Sequence, residues 1–230
     1  ITLCLMKHAF NLKFFLRFLN RHRLYTAINV FGFSVSLMFV ILIAAYVAKE
    51  LSADRHHVNG DRIYRFEHQD FAYSAYAAGR VLQDRFPEIE SYCVVSYENK
   101  TLRIGEEYMQ VAVDCVDSSF FHMFTIELEQ GDPRHVLATR VVINSKFAKT
   151  LFGEESPMGK VLDIDDRQLT VTGVFADFPY GIFRTPQLIT SIFNTDNLWC
   201  IESYMDCHSW ELFLMARRNA DLPAKTESIR

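Results

Sequence analysis

Residues 24–48 read LYTAINVFGFSVSLMFVILIAAYVA, 25 consecutive positions without a charge between Arg23 and Lys49. As an α-helix rising about 1.5 Å per residue, this run covers about 37 Å, more than the ~30 Å hydrocarbon core of a bilayer. Asn29 is its one strongly polar side chain and lies near the N-terminal end, within reach of headgroups. A buried core helix of this length would carry a polar stripe in so small a protein. A cleaved signal peptide would have a shorter apolar stretch and small residues before the cut, whereas Tyr46 stands at minus three from Ala48. The run predicts a membrane span.

The charges on its two sides differ. Residues 1–48 hold five Lys/Arg (Lys7, Lys13, Arg17, Arg21 and Arg23) and no acid; residues 49–230 hold the other 19 Lys/Arg and all 28 Asp/Glu, a balance of −9. Lys and Arg are retained on the cytoplasmic side of a span. Residues 1–23 are therefore expected inside the cell, 24–49 in the membrane, and the acidic residues 50–230 outside. Within 6–23, Phe10, Leu12, Phe14, Phe15 and Phe18 interleave with basic residues, the pattern of an amphipathic helix lying on an anionic inner leaflet. Lys13, Arg17, Arg21 and Arg23 are the candidate membrane-surface and coupling residues. Met6-Lys7 reads as the natural start. The Gly32–Ser36 spacing would permit close helix packing, although a single such pair is more often tolerated sequence.

Residues 50–230 read as one domain. Half of the whole chain is hydrophobic and 23% is charged, which excludes a disordered or low-complexity protein. Residues 69–86 carry helical apolar spacing (Ala75, Ala78, Leu82, Phe86) ended by Pro87, and residues 145–152 form a second helix closed by Gly153. Strands are expected at 62–67, 91–97, 101–104, 108–115, 140–143, 160–164, 168–175, 188–193 and 210–216, with Asp165-Asp166-Arg167 as a hairpin turn. Helices and strands mix without strict alternation, so the fold class is α+β.

Known reaction chemistry leaves no mark on the chain. A phosphate-binding G-x-x-x-x-G-K-[ST] loop, a G-x-S-x-G elbow and an H-E-x-x-H helix are all absent. Cys200, Cys207 and His208 match no zinc-knuckle spacing. The acids at 106–107 and at 163, 165 and 166 fall at apparent hairpin ends, where carboxylates solvate turns. Asn99-Lys100-Thr101 fits a glycan acceptor triplet, a pattern common by chance. His56-His57 would titrate near neutrality if exposed, or sit hydrogen-bonded where the helix ends. Negative charge outside the span disfavours nucleic acid. Of five cysteines, Cys200 and Cys207 are the favoured disulfide pair, against a reading of all as small buried hydrophobes. No catalytic residue and no metal ligand is assigned.

Residues 49–65, KELSADRHHVNGDRIYR, resemble the signature E-L-S-x-D-x-x-H-x-N-x-D-R-I-Y-R that follows the first transmembrane helix of MacB-like permeases. These are subunits of ABC systems for antimicrobial peptides, macrolides and lipoproteins. Val141-Val142-Ile143, Ala148-Lys149, Leu151-Phe152-Gly153 and Pro157-Met158-Gly159-Lys160 resemble the family's strand–helix–F-G-x-x-x-P-[IL]-G-K block. Val171-Thr172-Gly173-Val174 with Asp177 and Pro179 resembles its V-x-G-V-x-x-D-x-P strand, and residues 20–25 resemble the segment that leads into the span. Asn144-Ser145 replaces a common Ser-Glu, and residues 180–183 depart from the frequent x-N-S-H.

The resemblance implies a porter-like α+β part with a smaller, mostly β part. It also implies four spans in a full member, three of them after this domain, so the chain would be the N-terminal part of a permease in the bacterial inner membrane. Its implied mechanism is mechanotransmission. A separate ABC ATPase binds ATP and Mg, and the periplasmic domain moves to export or extract a peptide, lipoprotein or drug-like substrate. This chain holds no cofactor. A permease dimer and a periplasmic adaptor or outer-membrane partner are further implied. Glu50, Asp54, Arg55, Asp61, Arg62 and Tyr64 mark the stalk-to-domain junction, where alternating charges would form a stiff network. Gly153, Pro157, Gly159 and Gly173 are structural turns, Gly173 marking a bulge or a close backbone approach. The alternative from another class is a single-span anchored ligand-binding or sensor protein without an ATPase; an envelope enzyme is a third.

Overall fold

The computed structural model describes residues 17, 21–67, 72–132, 138–179, 181, 183–202 and 207–225. The chain divides into two compact units, Ile1–Ala53 and Asp54–Arg230. In the first, the uncharged run is one helix, α1 (Arg23–Glu50), and none of its residues is buried. Its apolar side chains face outward on every side: Phe31, Phe33, Val40 and Ile43 are all more than half exposed. The helix is long and apolar enough to cross a membrane. Arg23 opens the helix and Lys49 lies in its last turn; Arg17 and Arg21 are helical and exposed. Lys13, Phe14 and the rest of the expected amphipathic segment before Arg17 lie outside the described residues.

The second unit is mixed α+β. Its strands are β1 (Ile63–Phe66), β2 (Tyr73–Ser74), β3 (Ile89–Ile104), β4 (Glu107–Val116), β5 (Leu128–Gly131), β6 (Arg140–Asn144), β7 (Val161–Ile164), β8 (Arg167–Phe175), β9 (Leu188–Ser191) and β10 (Trp210–Ala216). The helices are α2 (Ala78–Arg85), α3 (Phe120–Met123), α4 (Ser145–Phe152) and α5 (Leu198–Glu202). Among the described residues the strands join in the order β1-β10-β3-β4-β9-β6-β8-β5. β2 adds to β10, and β7 pairs with both β8 and β3.

That double pairing of β7 divides the fold. The path β3-β4-β9-β6-β8-β7 returns to β3, so six strands close on themselves around Leu102, Val111, Ile164, Leu169 and Val171, all buried. The other part is an open sheet, β1-β10-β3, covered by helices. Strand β10 shows why it is central: Trp210, Leu212, Leu214 and Ala216 pack with Ala78 and Leu82 of α2. Phe213 and Met215 point the other way, onto Phe120 and Met123 of α3 and onto Phe124 and Phe183. The period of two sends alternate residues to opposite faces, and here both faces are covered. The unit is thus mixed α+β, as expected.

Local signals explain several boundaries. Asn144 caps α4, its Oδ1 accepting the amides of Lys146 at 3.0 Å and Phe147 at 3.2 Å, and Gly153 ends the helix at φ 62°. Asp165 (φ 48°) and Asp166 (φ 60°) both adopt left-handed backbone between β7 and β8, the two-residue hairpin turn whose twist suits antiparallel strands. Two expectations need correction. The strands at 91–97 and 101–104 are one 16-residue strand, β3. The polar run Glu98-Asn99-Lys100 interrupts the apolar pattern, but Lys100 is only 4% exposed and ion-paired, so the strand continues through it. The helix expected over 69–86 begins at Ala78, because Tyr73 and Ser74 pair with Glu211 and Trp210 as strand β2; residues 68–71 lie outside the described ones. Cys200 and Cys207 form a disulfide, whereas Cys93 and Cys115 are free and buried.

Candidate functional site

The segment that opens the second unit is held by three of its signature side chains. Asp54 adopts φ 59°, and its carbonyl accepts the His57 amide at 3.1 Å, turning the chain. His57 is buried. Its Nδ1 accepts the Thr125 amide at 3.1 Å, while the Thr125 hydroxyl accepts the Val58 amide at 2.9 Å. One threonine thus clasps two consecutive residues. The ring lies edge-on to Phe124, at 5.3 Å between centroids. Because Nδ1 is an acceptor, the ring proton resides on Nε2. Burial, and then the neighbouring His56, lower the His57 pKa to about 4, so the imidazole is neutral at physiological pH.

Asn59 and Arg62 complete the hold. Asn59 donates to the carbonyls of His122 (3.4 Å) and Met123 (3.5 Å) at the end of α3, and its Oδ1 accepts from Arg62 Nη2 at 2.7 Å. Arg62 Nη1 donates to Glu90 Oε2 at 2.7 Å and to the Ala216 carbonyl at 2.9 Å. Arg62 therefore joins the segment to both β3 and β10, neighbouring strands of the open sheet. A planar guanidinium with several fixed donors can serve three acceptors at once; an ammonium cannot match that geometry.

The junction residues named from the sequence divide accordingly. Arg62 is engaged, but its ion-pair partner is Glu90 rather than Asp54 or Asp61. Arg55 and Asp61 are exposed and make no ion pair among the described residues. Among the described residues Arg62 therefore pairs outside this set of four charges. Asp54 lies in a left-handed turn and Asp61 and Arg62 in the 3-10 turn Gly60–Arg62. Tyr64 packs against the core on the α2 side and pairs with Leu214. Glu50 ends α1 in the first unit. His57 and Asn59 carry anchoring contacts that charge-based reasoning passed over; both are fixed positions of the quoted signature, which is where they were legible.

The structural turns cluster around β8. Gly173 sits at a register shift in the pairing of β6 with β8, and a Cβ there would lie 3.1 Å from Val142 Cγ1 and 3.3 Å from the Gln130 carbonyl. It is both a bulge and a close approach. The loop holding Pro157 and Gly159 lies along β8, with the Gly159 amide donating to Val171 at 2.8 Å. Asp177 accepts from Asn144 Nδ2 at 3.0 Å and pairs with Lys146, tying the end of β8 to the start of α4.

A second polar cluster lies at the β7–β8 turn of the closed β part, with Lys100 and Glu98 buried and Asp165 and Asp196 reaching solvent. Lys100 Nζ contacts Glu98 at 2.8 Å, Asp165 at 3.4 Å and Asp196 at 2.5 Å. Glu98 also accepts from Ser96 at 2.8 Å and from Thr195. Burial raises the Glu98 pKa, but the hydrogen bonds from Lys100, Thr195 and Ser96 outweigh it and hold it low. The cluster binds the β7–β8 turn and the segment before α5 onto β3.

These features, an outward-apolar helix, an anchored H-x-N segment and a closed β part beside a helix-covered sheet, agree with the comparison by sequence pattern. The family model of the MacB-like periplasmic core domain matches residues 26–230. The chain belongs to this family. Three solved structures share the fold of this MacB-like domain, each over 73% of the chain. A domain of a permease protein from Porphyromonas gingivalis superposes with a TM-score of 0.62 at 18% identity, over 81% of its own length. The periplasmic region of MacB from Actinobacillus actinomycetemcomitans gives 0.55 at 15%, over 78%. The extracellular domain of YknZ, a noncanonic ABC-type transporter from Gram-positive bacteria, gives 0.50 at 14%, over 87%. No curated protein matches the chain in sequence.

Proposed function

We propose that this MacB-like chain works in the permease subunit of an ABC transporter and transmits movement rather than catalysing a reaction. A separate ATPase would bind ATP and Mg on the cytoplasmic side. Helix α1 would cross the inner membrane with the basic residues 1–23 inside and the domain in the periplasm, as the Lys/Arg bias favours. Displacement of residues 54–62 would pass to the open sheet, acting on a peptide, lipoprotein or drug-like substrate, in a permease dimer with an adaptor or outer-membrane partner. The supporting observation is the anchor. His57, Asn59 and Arg62 tie the segment that follows α1 in the chain to α3, β3 and β10, so its motion is not dissipated in a flexible linker.

The test is affinity purification of the protein from native membranes in a mild detergent. A co-purifying chain containing G-x-x-x-x-G-K-[ST], with ATPase activity that depends on this protein, is expected. Recovery of the protein without any nucleotide-binding chain, under crosslinking as well, would overturn the reading in favour of a single-span sensor or ligand-binding anchor.

The span has its own test. Arg in place of Met38, at the middle of α1, should cost about 2.5–3.5 kcal/mol of insertion. The Met38→Arg variant is expected to shift into the carbonate-extractable fraction; unchanged membrane retention counts against the span.

A further inference from the structure

The sheet face that carries Cys93, Val95, Phe213 and Met215 is apolar where α3 and Phe183 cover it. Along the same strands it becomes polar. Tyr97 lies opposite Asp114, and Val95 lies opposite both Val116 and Glu211. The register therefore sets Tyr97, Asp114 and Glu211 side by side on one face of β3, β4 and β10. A cleft of about 490 Å³ opens over them, with Tyr73, Arg65 and Arg184 among its walls.

Its floor lacks a donor. Asp114 is 5% exposed, and its Oδ2 receives no hydrogen bond. Glu211 accepts from the Tyr97 hydroxyl at 3.3 Å and lies 3.8 Å from Arg65, but Arg65 is shared with Glu67. Burial raises the pKa of Asp114 well above the usual carboxylate range, and the charge of Glu211 adds to this. Burial raises Glu211 too, opposed by Arg65. A buried carboxyl with an unpaired oxygen at the floor of a cleft is the complement of a cation that brings its own N–H donors. Among the described residues no group of three or more His, Cys, Asp or Glu converges as a metal site. A planar guanidinium wants one carboxylate presented edge-on, whereas two carboxyls and a phenol on three separate strands suit a compact ammonium with three donors. Tyr97 and Tyr73 line the cleft and are both substantially exposed, apolar surface for the carbon next to the nitrogen. The exposed Arg184 disfavours a second positive charge.

We propose that this cleft is a binding site for a small organic cation carrying one primary ammonium group, whose N–H donors are accepted by Asp114 and Glu211. The site does not depend on the transport reading. Cation and proton compete for Asp114, so affinity rises with pH as the carboxyl loses its proton. Glu211, Tyr97, Arg65, Glu67 and Arg184 are the other titratable and charged groups facing or flanking it.

The experiment is saturation-transfer NMR on the full chain in detergent micelles, titrated with n-butylammonium and, in parallel, n-butyltrimethylammonium. Saturable binding of the primary ion is expected, roughly tenfold tighter than the quaternary ion, which has no donor. Affinity should increase as the pH is raised and fall roughly tenfold in Asp114→Asn. That isosteric variant removes a carboxyl with no partner and should fold; Glu211→Gln, checked by circular dichroism, gives a second reading at the same cleft. Equal signals from the two ions, or a wild-type affinity retained in both variants, would overturn the site.

Discussion

Replacing Arg62 by alanine lowers the unfolding free energy of the domain by about 3 kcal/mol, the scale expected when one partner of a largely desolvated ion pair is removed. The Arg62 side chain is 15% exposed, so its contacts to Glu90, the Ala216 carbonyl and Asn59 are made largely out of water. Truncation leaves those three acceptors without their donor. Glu90 is 35% exposed and can recover water, which keeps the loss near the lower end of the range for buried pairs. Urea denaturation of the full chain in micelles measures it. Arg62→Lys should recover less than half, since an ammonium keeps the charge and loses the fork. Hydrogen exchange gives the local readout: the Val58 amide, held by Thr125, should exchange faster in Arg62→Ala. A loss under about 1 kcal/mol with unchanged exchange would mean that the segment is held without Arg62.

The second large effect is expected at Lys100. Lys100→Met should destabilise the domain by about 3–5 kcal/mol at pH 7, because Glu98 is left buried without its cation. Side-chain exposure decides which pair matters: Lys100 and Glu98 are 4% and 8% exposed, while Asp165 and Asp196 are 36% and 62% exposed and remain solvated. The effect depends on pH with a definite sign. The folded-state pKa of Glu98 is held below its unfolded value, so its contribution is full above the unfolded value and is lost as pH falls through the folded one. In Lys100→Met, Glu98 keeps its burial and loses its main donor, so its pKa rises and protonation relieves the penalty. The gap between wild type and variant should therefore narrow from pH 7 to pH 4. Denaturant midpoints at the two pH values measure it, and a gap that is constant or wider at pH 4 would refute the assignment.

Elements dictated by nearest neighbours were legible in the sequence. The uncharged run needs only its own length and composition to be a helix long and apolar enough to cross a membrane. The helix α4 is written in Gly153 at its end, and the β7–β8 turn in two consecutive aspartates that tolerate left-handed backbone, whereas the Asn144 cap emerged only from the structure. β10 matches its expected bounds, Trp210–Ala216. Strand β2 was hidden because two residues carry no periodicity, and only pairing with β10 makes them a strand. The continuity of β3 was hidden because a lysine reads as solvent-facing until its acids are in place. Asp114 left a faint trace, a carboxylate in a strand otherwise apolar at Val111, Val113, Cys115 and Val116, which no motif explains.

By itself the sequence determined the long apolar helix, the α+β class, the family resemblance and the local turns, since each rests on residues within a few positions of one another. Only the tertiary structure decided which charges meet. Arg62 finds Glu90 at 28 residues' distance and the Ala216 carbonyl at 154, and Lys100 finds Asp196 at 96. Those pairings are set by strand order and register, through which β3 and β10 become neighbours and β7 closes onto β3. A charge has no partner code in sequence. Its partner is whatever donor or acceptor the packed sheet brings within about 3 Å and away from water.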